Sequence, residues 1–363
     1  MTNSEALQLL EAMLRIPSPS GQEAELADFL VHRMDDWGFR AFIDEVGNAV
    51  GEVGEGPRTI VLLGHMDTVP GEIPVRCEGN RLYGRGAVDA KGPLAAFIAA
   101  AARLARRGGL SCRLVVVGCV EEEAPSSRGA FFVRDRYRPD FCVVGEPSGW
   151  DGLTIGYKGS LQAVVRLEGP AGHSAHDRET AAGRACAAWV RIRAGAEAFN
   201  VGRSRAFDCL WPALTGLRSG GDGLTEWAEL DVHLRLPPDL PPAAAEAWLQ
   251  EQVGEGRIAV QGAVPAWVGS RTTPLHRAFA RAIRRAGGTP RYLLKTGTSD
   301  LNVVAPVWRC PALAYGPGDA AFDHTPEEHI VVEEFWRSLR VLEEALREVG
   351  DKQAQEGNQA LGQ

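Results

Sequence analysis

His65 and Asp67 stand two residues apart in Gly64-His65-Met66-Asp67-Thr68-Val69-Pro70. The apolar run Thr59-Ile60-Val61-Leu62-Leu63 precedes them and reads as a buried strand of a parallel sheet. Residues two apart at a strand's end point to the same side. A neutral imidazole there can bind a metal, and a carboxylate beside it can accept the other ring N–H and fix the tautomer. Alone, a histidine near a strand end is more often structural. It gains meaning only with partners.

The rest of the chain supplies them. Leu114-Val115-Val116-Val117 runs into Glu121-Glu122-Glu123, and Phe141-Cys142-Val143-Val144 runs into Gly145-Glu146-Pro147. Both runs read as buried strands, so His65, Asp67, Glu121, Glu122 and Glu146 all fall where strands end. Ligands of open α/β sheets bind at that edge. Asp89 precedes an Ala-rich helix opened by Gly92-Pro93-Leu94, with Pro93 tolerated in the first turn. His324, in Phe322-Asp323-His324-Thr325-Pro326, follows the last predicted strand.

The elements that must position these residues are legible by pattern. Residues 4–15 carry Leu7, Leu10, Met13 and Leu14 at helical spacing, and Pro17 and Pro19 stop that helix. Ser20-Gly21-Gln22-Glu23 has the form of a capping box opening a second helix that closes at Gly38. Short strands near 40–43 and 46–53 lead to the buried strand at 59–63, and the Ala-rich helix ends at Gly108-Gly109. Alternating buried strands and helices imply an α/β fold, doubly wound around a mostly parallel sheet.

From about 153 the pattern becomes strand 157–168, helix 178–195, strand 206–217, strand 226–236, helix 242–253 and strand 257–264. That β-α-β-β-α-β order describes a small inserted α+β domain. The α/β character resumes with helix 275–286, a strand at 311–315 and a closing helix at 332–347. The expected organisation is residues 1–152 and 266–350 as the catalytic domain, 153–265 as the insert, and 351–363 as a polar, disordered tail.

The chain's 363 residues suffice for two cores, and its 45% hydrophobic and 24% charged content is that of a globular protein. A net charge of −8 argues against a general nucleic-acid or anionic-membrane binder. Arginine is the default cation, since lysine occurs only at 91, 158, 295 and 352. Seven cysteines without a C-x-x-C fit a reducing cytosol better than a disulfide framework. No secretory signal and no apolar run of spanning length is evident, so a soluble cytoplasmic protein is expected.

The motif Gly64-His65-Met66-Asp67-Thr68-Val69-Pro70 is followed by Gly84-Arg85-Gly86-Ala87-Val88-Asp89-Ala90-Lys91-Gly92 and by Glu121-Glu122-Glu123. Gly145-Glu146-Pro147, Gly169-Pro170-Ala171-Gly172-His173-Ser174-Ala175 and Asp323-His324-Thr325-Pro326-Glu327-Glu328 come after them. In that order, from residue 64 to 328, these motifs resemble the co-catalytic zinc amidohydrolases, a family of aminoacylases, desuccinylases and deacetylases.

The resemblance implies two zinc ions per subunit, with cobalt a possible substitute. One would take His65, Asp89 and Glu146; the other would take Asp89, Glu122 and His324, with Asp89 bridging. Three N/O ligands on each leave the open position catalytic zinc requires. Glu121 would be the general base that carries a proton from water to the leaving amine. Asp67 would orient His65, and the Asp89–Ala90 peptide would be cis. His173 would reach the partner subunit's site and donate to the oxyanion, which makes a homodimer through the insert the expected assembly.

Arg235 matches the family's arginine for the substrate carboxylate, a role its planar fork suits. Lys295, Gly297 and Thr298 fall in the loop that lines the family's substrate pocket. The short loop Gly71-Glu72-Ile73-Pro74-Val75, with Asp89-Ala90-Lys91-Gly92-Pro93-Leu94 and Lys295-Thr296-Gly297-Thr298, looks closest to one branch. Its enzymes release lysine or ornithine from the C-terminal glutamyl group of an acidic amino-group carrier protein, in lysine and arginine biosynthesis. A deacylase of acetylornithine or succinyl-diaminopimelate is the alternative. A zinc-dependent binding protein without catalysis is a third reading, against which an intact Glu121 argues. A serine penicillin-binding site is set aside because no Ser stands three residues before any lysine. A dinucleotide loop at Gly84-x-Gly86 is set aside because no buried strand precedes it and the third Gly is missing.

Overall fold

The computed structural model describes residues 1–108 and 110–351, so Gly109 and the expected tail beyond Asp351 lie outside the described residues. The chain divides into two compact units, the first made of residues 1–156, 269–293 and 299 onward, the second of 157–268 with 294–298. The insert therefore starts and ends a few residues later than the change of sequence pattern, and the segment 294–298 belongs with it.

Helices α1 (Asn3–Leu14) and α2 (Ala24–Asp36) lead into strands β1 (Arg40–Ile43), β2 (Ala49–Val53) and β3 (Arg58–His65). The antiparallel pair β4 (Arg76–Glu78) and β5 (Arg81–Tyr83) precedes the long helix α3 (Lys91–Arg107). Strand β6 (Cys112–Cys119), helix α4 (Arg128–Arg136), and strands β7 (Phe141–Val144) and β8 (Gly152–Tyr157) follow. The insert holds β9 (Gly159–Pro170), α5 (Ala181–Phe199), β10 (Trp211–Gly221), β11 (Thr225–Leu236), α6 (Pro242–Val253) and β12 (Arg257–Val264). Strand β13 (Trp267–Val268) ends that stretch, and α7 (Pro274–Arg285), β14 (Arg291–Lys295), whose last two residues belong with the insert, and α8 (Leu301–Trp308) follow. Strands β15 (Ala312–Ala314) and β16 (His329–Val331) and helix α9 (Val332–Gly350) close the chain.

In the first unit the strands pair in the order β1-β2-β6-β3-β7-β15-β8. Strands β6, β3, β7 and β15 are mutually parallel, while β1, β2 and β8 join antiparallel. Ile60 to Leu63 and Leu114 to Val117 are wholly buried, as expected of strands covered on both faces. Helix α3 lies on this sheet with every residue from Leu94 to Ala102 buried. Close approach depends on Gly64: a Cβ there would sit 3.2 Å from the Cβ of Leu94. Helix α9 adds Phe335, Leu339, Leu342 and Leu346 to the same core at helical spacing.

One expectation about α2 is overturned. Its first residue is Ala24 and it has no side-chain cap. Ser20 instead donates its hydroxyl to Asp67 Oδ2 at 2.7 Å, and Glu23 Oε1 accepts from the N–H groups of Gly21 and Glu121 at 3.0 Å each. A buried anion needs donors more than a solvent-facing helix end does. The supposed capping residues therefore serve the sheet edge.

The second unit is an antiparallel sheet in the order β10-β11-β9-β12. Leu161, Val165, Leu230 and Leu234 alternate onto the face that α5 and α6 cover, making a separate core.

Candidate metal centre

Strands β3 and β6 run parallel from Arg58↔Cys112 to His65↔Cys119, and β7 ends beside β3 on the other side. His65, the glutamates beyond Cys119, and Glu146 beyond Val144 thereby meet on one edge of the sheet. Asp89 reaches this edge from the loop between β5 and α3, and His324 from the segment before β16. A Cβ at Gly92 would lie 2.3 Å from the Ala87 carbonyl oxygen, so only glycine lets the loop bearing Asp89 fold onto the first turn of α3. The Asp89–Ala90 peptide is cis.

His65 is buried, with Nδ1 3.0 Å from the Asp67 carbonyl oxygen and 3.4 Å from Asp67 Oδ1. Its Nε2 lies 3.2 Å from Asp89 Oδ1. The other oxygen of Asp89 lies 3.2 Å from Nε2 of His324, which is in turn 2.8 Å from Glu123 Oε1. One carboxylate thus stands between two imidazoles, one oxygen toward each. Ligand atoms of Asp89, Glu123 and His324 lie within 4.8 Å of one another.

The positions in the glutamate run differ by one residue from the expectation. Beyond β6 the strand's alternation stops, because Glu121 takes a left-handed φ of +57°. Its carboxylate turns to Arg128 Nε at 3.0 Å and accepts from Ser126 Oγ at 2.6 Å. Glu121, expected as the base, is engaged there. Glu122, expected beside His324, gives that place to Glu123. The turn is pinned by Asp67, whose Oδ1 accepts from the N–H of Glu122 and Oδ2 from the N–H of Glu123, both at 3.0 Å. Ser20 and Glu23, whose pattern is that of a helix cap, and Glu123, the last of the glutamate run, belong to this centre without the sequence assigning them to it. Three identical side chains in a row carry no phase, and no residue type announces the left-handed turn at Glu121.

The electrostatics follow from this packing. Burial disfavours charge on Asp67, yet hydrogen bonds from His65, Ser20 and the Glu123 N–H outweigh it and hold its pKa low. Asp89 is likewise buried, and its two histidines hold its carboxyl well below the usual range. Burial opposes the charged form of His65, but Asp67 and Asp89 raise its pKa well above normal. Asp89 and Glu123 push His324 up to about 10. Desolvation drives Glu122 far up, with Glu146, Asp300 and Glu123 adding repulsion against the attraction of His65. Desolvation raises Glu123 as well, although His324 opposes it. The imidazole and carboxylate donors gathered here suit divalent ions of the zinc class. The donor set fits.

Lys91 takes no part in this chemistry. It is buried, donates to the carbonyls of Met13 at 3.1 Å and Ile16 at 2.7 Å, and burial brings its pKa down to about 8. It fastens the end of α1 to the start of α3.

In the second unit, Arg235 Nη1 donates to Thr298 Oγ1 at 2.9 Å, and that hydroxyl donates to the Lys158 carbonyl at 3.0 Å. The Lys158 N–H donates to the carbonyl of Lys295 at 3.2 Å. Arg235, Lys295 and Thr298 are thus gathered, with Gly297 in the connecting turn. Lys158 buries its ammonium against the carbonyls of Ala206 and Cys209 and the ring of Trp211, and burial lowers its pKa to about 8. His173 is exposed on the loop before α5, with Nδ1 accepting from the Ala175 N–H at 3.1 Å.

Residues 61–348 match peptidase family M20/M25/M40. The LysW-lysine hydrolase of Deinococcus radiodurans is 48% identical over 347 residues, covering 94% of this chain and 96% of that protein. An M20 family metallo-carboxypeptidase from Sulfolobus solfataricus superposes with a TM-score of 0.77 at 19% identity, covering 94% of this chain and 98% of its own. The YXEP protein of Bacillus subtilis, described as a dinuclear metal-binding M20 peptidase, gives 0.67 at 12% identity, covering 96% and 98%. Among the described residues no helix is long and apolar enough to cross a membrane.

Proposed function

The chain belongs to peptidase family M20/M25/M40, a family of metallopeptidases, and from that premise we infer that it is an amidohydrolase acting on a carrier-linked amino acid. The substrate is lysine, or ornithine, joined through its amino group to the terminal glutamyl carboxyl of an acidic carrier protein. The observation that carries the amide chemistry is Asp89, with one oxygen 3.2 Å from each of two imidazoles. The lysine substrate rests on the 48% identical relative, which is named a LysW-lysine hydrolase. A deacylase of a small N-acyl amino acid is the second reading, and the short loop 71–75 speaks for the carrier-linked substrate against it.

We assign His65, Asp89 and Glu146 to one zinc ion, and Asp89, Glu123 and His324 to a second, with cobalt as a substitute. Bound there, the ions would polarise the substrate carbonyl and acidify the attacking water. The chain's own residues do the rest. Glu122 takes a proton from that water as the oxygen bonds to the carbonyl carbon. It returns the proton to the nitrogen as the C–N bond breaks, leaving a free amine and a carboxylic acid that then ionises. Its desolvation and neighbouring carboxylates suit it to holding a proton between the two steps. Asp67 keeps His65 oriented and fixes the backbone of Glu122 and Glu123.

Arg235, backed by Thr298, offers a planar fork to a substrate carboxylate, with Lys295 and Gly297 shaping the same loop. His173 supplies a hydrogen bond to the developing oxyanion across a homodimer. Support for that dimer is β10, an edge strand of the insert with exposed Trp211 and Leu217. A reducing cytosol agrees with seven unpaired cysteines.

The test is release of free amine from carrier-linked lysine, carrier-linked ornithine, acetylornithine and succinyl-diaminopimelate, with and without a chelator. Chelator-sensitive release from the carrier-linked pair alone is the expected result. Release only from the free acyl amino acids would establish the second reading instead.

A further inference from the structure

The loops carrying Asp89 and His324 leave one short antiparallel pair, since β16 pairs with β5 in the register His329↔Tyr83. Glu328, just ahead of β16, is 1% exposed, and its Oε1 accepts from the N–H groups of Val88 at 3.0 Å and Asp89 at 3.2 Å. Its Oε2 accepts from Arg85 Nη1 at 2.8 Å, and that same nitrogen donates to the Thr325 carbonyl at 3.3 Å. Arg85 Nε donates at 2.9 Å to the carbonyl of Gly71, in the loop that follows Asp67. The Gly84 N–H donates to the Glu328 carbonyl at 3.3 Å.

A single ion pair, its carboxylate buried and its guanidinium partly so, therefore joins three segments: the stretch leading to Asp89, the stretch leaving His324, and the loop after β3. Neither residue touches the ligand atoms. A buried carboxylate with both oxygens occupied by fixed donors has little freedom to move. The N–H groups of Val88 and Asp89 are held to the same side chain that continues the His324 segment.

We propose that Glu328, locked by Arg85, is the positioning residue that sets the separation of Asp89 and His324 and thereby the affinity for the ion they share. This rests on the metal assignment above. A donor's backbone held a fraction of an ångström out of place weakens an ion's binding, as outer hydrogen-bond partners of metal ligands generally do when removed.

The test is cobalt titration of the chelator-stripped full chain, read by the visible absorption of bound Co2+, for the unsubstituted protein, Glu328→Ala and Glu328→Gln. Glu328→Ala should weaken cobalt binding about tenfold or more. Glu328→Gln should recover most of it, because the amide oxygen still accepts from Val88 and Asp89. Thermal unfolding of the stripped proteins shows whether each variant is folded. Unaltered cobalt binding in Glu328→Ala overturns the proposal, and so does an equal loss in both variants. If the unsubstituted chain itself binds no cobalt, the metal assignment fails and this inference falls with it, a result visible before any variant is compared.

Discussion

His324 Nε2 lies 2.8 Å from Glu123 Oε1, so Glu123, the last of three consecutive glutamates, is the one beside His324. Glu121, two residues earlier, faces Arg128 and Ser126 instead. Glu123→Gln should cut the bound metal at a fixed free concentration by tenfold or more, since it replaces a charged ligand with a weak neutral one. Glu121→Gln should leave metal content unchanged. Elemental analysis after dialysis checks both, and the opposite ranking would restore Glu121 to the centre.

Glu122 should separate chemistry from metal binding. Glu122→Gln removes the proton carrier, so kcat should fall by about 10²–10⁴-fold while the metal content holds. Comparable loss of metal in this variant would make Glu122 a ligand rather than a base.

Most of the scaffold was legible because buried strands and an Ala-rich helix announce themselves by composition. The run Ile60 to Leu63 has no alternation because both faces are covered. That places His65 at a sheet edge before any coordinate is known. Legibility ended where the backbone left regular structure. Glu121 at φ +57° and His324 at φ +60° both sit in left-handed conformations that their residue types do not signal. Ser20 carried a capping pattern, yet the buried Asp67 claims its hydroxyl. Lys91 and Lys158 stood out as rare lysines and prove to be interior fasteners of backbone carbonyls. Rarity by itself did not distinguish that from catalysis.

Arg235 should govern substrate binding rather than turnover. Its guanidinium is held by Thr298 in a fork that lysine cannot reproduce. Arg235→Lys should raise KM by about tenfold with kcat changed far less, the mark of lost uniform binding. Steady-state kinetics on the preferred substrate checks this, and an equal fall in kcat would place Arg235 in the transition state.

His276 predicts a pH dependence of stability. It is fully buried at the start of α7, with Nδ1 2.7 Å from Thr273 Oγ1 and Nε2 without a hydrogen-bond partner. Burial lowers its pKa from 6.5 to about 4. Between those values the unfolded chain binds a proton that the folded chain refuses, so stability falls as pH drops from 6.5 toward 4 and is unaffected above that window. The loss amounts to about 3 kcal/mol at the acid end. Urea unfolding of the metal-stripped protein across this range should show a steeper acid loss than His276→Phe shows. Identical slopes would mean that His276 is protonated in the folded state.

The central claim is that Asp89 lies between two metal ions, with Glu123 beside the one that His324 binds. Crystals of the zinc-loaded protein, with anomalous diffraction collected at the zinc edge, test it most directly. Two peaks flanking the Asp89 carboxylate are predicted, one against His65 and Glu146, the other against Glu123 and His324. A single peak, or a second peak held by Glu121 or Glu122 in place of Glu123, would contradict the account.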